Sequence, residues 1–387
     1  MRQSSLVQIV SRSAAALALA GSAAAGTLLT ALPAGKATSG RSPSEMAASN
    51  EKSAFDQLWG LATLYQNDRS PILEELAVTG RYQGQFWAVD GPDGNDSDWE
   101  NRRFRLGLQA AMFDKRLTLK SEIVSGFHPG GEFYEGFIEL YAAWKASEAF
   151  TLTIGKQKPK FSHEWSQSSR FILTFERNSL INSFQPDYAP GVTASGRVGV
   201  FSYYAGVFSN VVAKEFGGFN GGWSWLAGIG IDVKDAIGTE KADLRLDCIH
   251  SEIDEQDTIF TRYDNGLALS LHLKQGAWTL TPELLAGFGD ASNWALVLTP
   301  TYDFTKKLQA VVRYQLGLSD GDAFPTQRRY EREAGLGNGD VYNAIYAGLN
   351  YYIYGHKLKL MTGVEWSNLS GGGGDSWTCF AGVRASW

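Results

Sequence analysis

From Leu76 to Trp387 the chain repeats one pattern, in which segments of about ten residues alternate apolar side chains with small, polar or charged ones. A period of two sends successive side chains to opposite faces of a strand. In residues 101–112, Phe104, Leu106, Leu108, Ala110 and Met112 fall on one face, and Arg103, Arg105, Gly107 and Gln109 on the other. Trp223, Trp225, Ala227, Ile229 and Ile231 likewise oppose Ser224, Gly228, Gly230 and Asp232. A soluble β-sandwich shares the alternation, but its outward face is polar and its core face apolar. Here the charged face also carries abundant Gly, Ser and Thr, as a wet lumen would, while the apolar face is free of Lys, Arg, Asp and Glu across many segments. Slipping the 101–112 strand by one residue would drive Arg103 and Arg105 into lipid at about 2–4 kcal/mol each near the midplane. The pattern therefore predicts an all-β fold, a transmembrane antiparallel β-barrel with its polar face inward.

Such segments start near 76, 101, 116, 135, 150, 191, 200, 223, 242, 262, 277, 293, 307, 340, 357 and 376. That is about 16 strands, an even number, as single-chain bacterial barrels require. Short turns are expected at Asp114-Lys115, Ala146–Glu148, Lys274–Gly276, Thr305-Lys306 and Gly355-His356. Phe127, Phe150, Trp278, Phe288, Trp294 and Phe304 mark segment ends, where interfacial girdles belong. Composition closes the competing classes. Beyond the N-terminus no apolar stretch nears the ~18 residues of a membrane helix, and 44% hydrophobic content with 13% aromatics is too rich for disorder. The net charge of −6 disfavours a nucleic-acid partner. Cys248 and Cys379 stand far apart with no metal-ligand spacing, so no metal or cofactor is expected.

Residues 1–37 read as a signal peptide. Arg2 and Arg12 precede an Ala-, Leu- and Gly-rich stretch, and small residues place the cleavage after Ala34 or Ala37. Residues 38–75 are polar apart from Phe55, Leu58, Trp59, Leu61, Leu64 and Tyr65, whose spacing predicts a short helix in an N-terminal periplasmic segment. The barrel domain spans 76–387. Its last strand ends on Trp387, and a terminal strand closing on an aromatic residue resembles the signal read by the bacterial barrel-assembly machinery. The expected location is the outer membrane of a Gram-negative-type bacterium, in contact with its lipids.

The rhythm breaks once, between Lys156 and Pro190. Loops beyond ~12–15 residues are usually functional or disordered, and this one is too rich in Phe, Trp and Ile for disorder. It is expected to fold into the lumen as a constriction loop. Lys156, Lys158, Lys160, Arg170 and Arg177 outnumber Glu164, Glu176 and Asp187 there, which favours anions at a narrow point. The lumen wall balances: Arg81, Arg103, Arg105, Lys120, Arg245, Arg313, Lys359 and Arg384 against Glu122, Glu139, Asp232, Asp243, Asp247, Glu283, Asp303 and Glu365.

The runs Arg102-Arg103-Phe104-Arg105-Leu106-Gly107, Ile154-Gly-Lys156-Gln-Lys158-Pro-Lys160-Phe-Ser162, Phe175-Glu-Arg-Asn178 and Tyr204-Ala-Gly-Val-Phe-Ser-Asn210 resemble the phosphate-selective porin O and P family. The resemblance is clearest over residues 76–210. It implies a sixteen-stranded homotrimeric pore narrowed by inward-folded loops, with Lys156, Lys158, Arg177, Arg103 and Arg105 contacting small anions such as phosphate. Two features depart from that pattern: Asp187-Tyr188-Ala189 stands where an Arg is expected, and the balanced wall is no obvious arginine ladder.

Catalysis has little to work with. The five histidines are scattered without HExxH, and no GxSxG occurs. The expected function is a water-filled channel for passive diffusion of small hydrophilic solutes, preferring anions such as phosphate. The alternatives are an outer-membrane barrel enzyme and a structural or adhesive barrel without an open pore.

Overall fold

The computed structural model describes residues 53–126, 131–211, 213–219, 221–252, 263–289, 292–320, 329–370 and 374–387. The signal peptide, residues 38–52 and Phe127 lie outside the described residues. The N-terminal unit contains a helix over Ala54–Gly60, on the apolar spacing that predicted one. Ser53 and Asp56 cap it reciprocally, each side chain taking the other's backbone N–H.

After the short strand Thr63–Gln66, where Leu64 and Tyr65 are extended and not helical, the second unit, Leu64–Trp387, holds the sixteen consecutive antiparallel strands of the ring. These are β1 (Leu73–Gly91), β2 (Gly94–Met112), β3 (Leu117–Ser125), β4 (Gly136–Ser147), β5 (Phe150–Gln157), β6 (Ala189–Val198), β7 (Phe201–Ser209) and β8 (Trp223–Asp232). The second half comprises β9 (Lys241–Ser251), β10 (Asn265–Gln275), β11 (Trp278–Phe288), β12 (Ser292–Asp303), β13 (Leu308–Ser319), β14 (Val341–Tyr354), β15 (Leu358–Leu369) and β16 (Gly374–Ser386). Each pairs with its sequence neighbour, and β16 returns to β1 from Trp377↔Asp90 to Ser386↔Arg81. Gly80 and Trp387 exchange both backbone hydrogen bonds at 3.1 Å, which seals the seam. A closed ring leaves no free edge, the condition for burying strands in lipid.

The faces follow the alternation. Leu108, Ile154, Trp225, Ile229, Leu284 and Ile345 are exposed on the outside, while Arg81, Glu122, Asp247, Glu283, Arg313, Lys359 and Arg384 are buried within. One short turn is unusual, because Phe113, Asp114 and Lys115 all adopt left-handed backbone with φ near +57°. Such geometry costs non-glycine residues about 1–2 kcal/mol each. Buried Glu74 offsets that cost by accepting the N–H groups of Asp114 and Lys115 at 2.9 and 3.4 Å.

The lumen differs from the uniformly wet interior that its Gly, Ser and Thr suggested. Phe161, Phe175, Leu180, Ile181 and Phe184 of the long loop join wall residues Trp87, Tyr204, Phe208 and Phe380 in one apolar cluster. Tyr263 stacks on Phe184 at 5.3 Å. Tyr330, Ala334 and Leu336 from the connection between β13 and β14 complete it. An outward face greasy enough for lipid leaves the inward face as the only place where these loop aromatics escape water.

Candidate functional site

The long loop between β5 and β6 is positioned from both ends. At its start, the N–H of Ser162 donates to Asp247 Oδ2 at 3.1 Å, and those of His163 and Glu164 donate to Glu283 Oε2 at 2.6 and 3.2 Å. These are the unpaired donors at the head of the short helix His163–Ser166, and two buried wall carboxylates receive them. Glu283→Ala is expected to leave two of them unpaired, at about 1–3 kcal/mol each. Amide hydrogen exchange at residues 163–164 should then accelerate; protection equal to wild type would show that the loop is held elsewhere.

Further along, three wall cations hold the loop by its backbone. Lys359 Nζ donates to the Ile172 carbonyl at 2.5 Å, and Arg384 Nη2 to the Phe175 carbonyl at 3.2 Å. Arg313 Nη1 donates to the Glu176 carbonyl at 3.0 Å and to Thr174 Oγ1 at 2.8 Å, while its Nη2 pairs with Glu365 at 3.1 Å. Arg313 and Arg384 are therefore spoken for by the loop. Glu176 meets Arg102 at 2.6 Å and Arg103 at 3.3 Å. Burial opposes its ionisation, but Arg102 and then Arg103 prevail and hold the carboxyl well below the usual range.

Arg102 was missed by strict alternation, which puts it on the lipid side with Phe104. The register shifts there, Gln83 facing Arg103 and Gly84 facing Asn101, so Arg102 is an extra residue in a bulge and reaches inward. Lys156 moves the other way. It shares the outward parity of Leu152 and Ile154, and its ammonium donates to the backbone carbonyls of Ala213, Lys214 and Glu215. The structure thus sets Lys156 apart from the remaining loop cations.

Those remaining cations converge. Fully buried Glu122 meets four of them: Arg81 at 2.7 Å, Arg105 at 3.4 Å, Lys120 at 3.9 Å and Arg170 at 4.0 Å. Lys120 also pairs with Glu139. Lys158 has no carboxylate in hydrogen-bond contact among the described residues; it donates to the Gln167 carbonyl at 2.9 Å and lies 4.2 Å over the Trp165 ring. Arg177 donates to the carbonyls of Glu164 and Gln167 at 3.2 and 2.6 Å and lies 5.0 Å from the same ring. Tyr188, the departure from the family pattern, takes Lys158 and Arg105 over its ring, each at 5.9 Å. Burial, reinforced by Arg177 and Arg105, draws the Lys158 ammonium down to about 5. Lys160 lies 5.3 Å over Tyr204, and its carbonyl accepts from Arg245, which pairs with Asp247 at 2.6 Å.

Sequence-distant charges are thus sorted across the lumen. Arg81, Arg102, Arg103, Arg105, Lys120 and Arg384 cluster on β16 and β1–β3, whereas Asp232, Asp243, Asp247 and Glu283 stand on β8, β9 and β11. The equal totals read from the wall conceal this separation.

A closed sixteen-stranded antiparallel ring with an apolar exterior, charged interior and a long loop bonded to its inner wall has the architecture of the outer-membrane porin barrels. Residues 76–222 match the family described as Phosphate-selective porin O and P, which bears out the resemblance carried by the motifs of that stretch. The solved structures agree in fold. Pseudomonas putida OprB superposes with a TM-score of 0.60 at 9% identity, over 81% of this chain and 94% of that one. The anion-selective porin from Comamonas acidovorans gives 0.58 at 11% identity, over 81% and 99%. Salmonella typhi OmpF, in complex with daunomycin, gives 0.59 at 12% identity, over 83% and 99%. A search of curated proteins finds no match.

Proposed function

We propose that the protein is an outer-membrane channel for passive diffusion of small hydrophilic solutes, that it favours anions such as phosphate, and that residues 158–188 form its constriction. The carrying observation is the cation excess around Glu122 and Glu139, two carboxylates among Arg81, Arg105, Lys120 and Arg170, with Lys158 beside them on a carbonyl and two rings. Lys158, held by a π face and a carbonyl, offers its charge to a passing anion when it is protonated. The low-dielectric barrel wall focuses that field along the lumen. Export by residues 1–37, a periplasmic place for 38–75, assembly through Trp387 and a homotrimeric state belong to the same reading; the trimer is supported by the barrel class alone.

The reversal potential across a planar bilayer in a tenfold KCl gradient tests it, anion selectivity being the expected sign. Acidity should strengthen that selectivity. Lys158 faces Arg81 on β1, Arg105 on β2, Glu139 on β4 and Arg177 on its own loop. Its folded value lies below the ordinary lysine range, so it is neutral at pH 8 and gains charge as pH falls towards 5. Lys158→Gln should flatten the rise between pH 7 and 5; an unaltered profile would place the titrating group elsewhere.

A further inference from the structure

Below the loop lies a cavity of about 330 Å³, lined by four cations, the carboxylate of Glu139, hydroxyls and two tyrosines. We infer that it is a discrete site for a sugar-like solute, rich in hydroxyls and carrying one phosphate, an inference that rests on the anion-channel reading.

Its upper part is cationic. Arg81 and Lys120, paired with Glu122 and Glu139, line it together with Lys158 and Lys160, which have no carboxylate in contact among the described residues; the Tyr141 ring lies 6.0 Å from the Lys120 ammonium and Tyr188 beside Lys158. Cross-strand register sets Lys120, Tyr141 and Gly155 at one level. Thr153 lies two residues below, about 7 Å at ~3.3 Å per residue. Thr151 and Ser195 face each other one row lower still. Thr151, Thr153 and Ser195 make no side-chain hydrogen bond among the described residues, and buried Ser166 Oγ, on the same lining, has no partner. An unpaired buried hydroxyl is costly, so this row of donors and acceptors is suited to a guest that supplies both.

A bare phosphate would satisfy the cations and leave the hydroxyl row to water. It would also leave most of a space that holds about eleven waters at ~30 Å³ each. A plain sugar would use the hydroxyls and tyrosine faces and leave Lys158 and Lys160 without an anion. A sugar monophosphate uses both, its anionic head at Arg81, Lys120 and Lys158 and its ring hydroxyls at Thr153, Thr151 and Ser195.

The test is block of single-channel KCl current by glucose 6-phosphate, inorganic phosphate and glucose in the wild-type channel. Glucose 6-phosphate should reach half-block at a concentration on the order of tenfold below either half-molecule, as two or three added hydrogen bonds would give. Thr153→Val should narrow its advantage over inorganic phosphate measured in the same channel. Equal potency of inorganic phosphate would overturn the inference and leave the anion channel standing, and equal potency of glucose would overturn it as well. Cation-selective current with no block by either phosphate would remove both readings together.

Discussion

Tyr330→Ala is expected to raise single-channel conductance severalfold and to admit bulkier sugars in a liposome-swelling assay. Tyr330 belongs to the connection between β13 and β14, yet it sits inside the ring with 2% of its surface exposed. Its ring lies 5.2 Å from both Trp87 and Phe380. Its hydroxyl pairs with Glu100 and accepts from Gln85 Nε2 at 2.5 Å. Phe380 in turn stacks on Phe175 of the long loop at 5.1 Å, so this segment and the loop share one apolar seam. Truncating a buried aromatic costs about 3–5 kcal/mol. A further anchor of the segment is Glu331, which accepts from the Tyr342 hydroxyl at 2.6 Å, flanked by the buried Ala334 and Leu336. Losing its central ring should let it leave the lumen while the ladder of the barrel stays intact. Unchanged conductance and sugar exclusion would mean that the permeation path runs clear of Tyr330.

The second large effect concerns the long loop. Replacing Arg313, Lys359 and Arg384 with Met, together with Glu365→Gln so that this buried carboxylate is not left facing the lost guanidinium, should release residues 172–176 from the wall. Hydrogen bonds from charged donors contribute about 1.5–3 kcal/mol each, so three together shift loop opening by on the order of 10³ or more. Limited trypsinolysis of the folded barrel should then cut after Arg170 or Arg177, bonds that are protected while the loop stays docked. Resistance equal to wild type would show that Glu283, Asp247 and the apolar cluster suffice.

Both effects turn on contacts that the two-residue period does not encode. Alternation shows that Arg313, Lys359 and Arg384 point inward, and they do. It is silent on what meets them there, and all three are taken up by carbonyls of the loop rather than left to line an open path. The loop itself was legible as the longest interruption between strands, rich in aromatics. The inward segment around Tyr330 was not, since its short run of charged and small residues resembles any exposed connection. Two parity errors have equally local causes. A one-residue bulge turns Arg102 inward, and Lys156 continues the outward face of β5 past the point where the strand was thought to have ended.

By itself the sequence determined the strand number, the face of almost every residue, the even count that lets the ring close, and the kinship of residues 76–222. These follow from period-two patterning and short turns, which are local properties of the chain. The tertiary structure alone decided which charges become neighbours. Glu122 gathers Arg81, Arg105, Lys120 and Arg170 from three strands and a loop, while the acids of β8, β9 and β11 are carried to another part of the ring. Closure of the sheet converts position along the chain into position around a circle, and the Coulomb energy of a charge depends on that second coordinate.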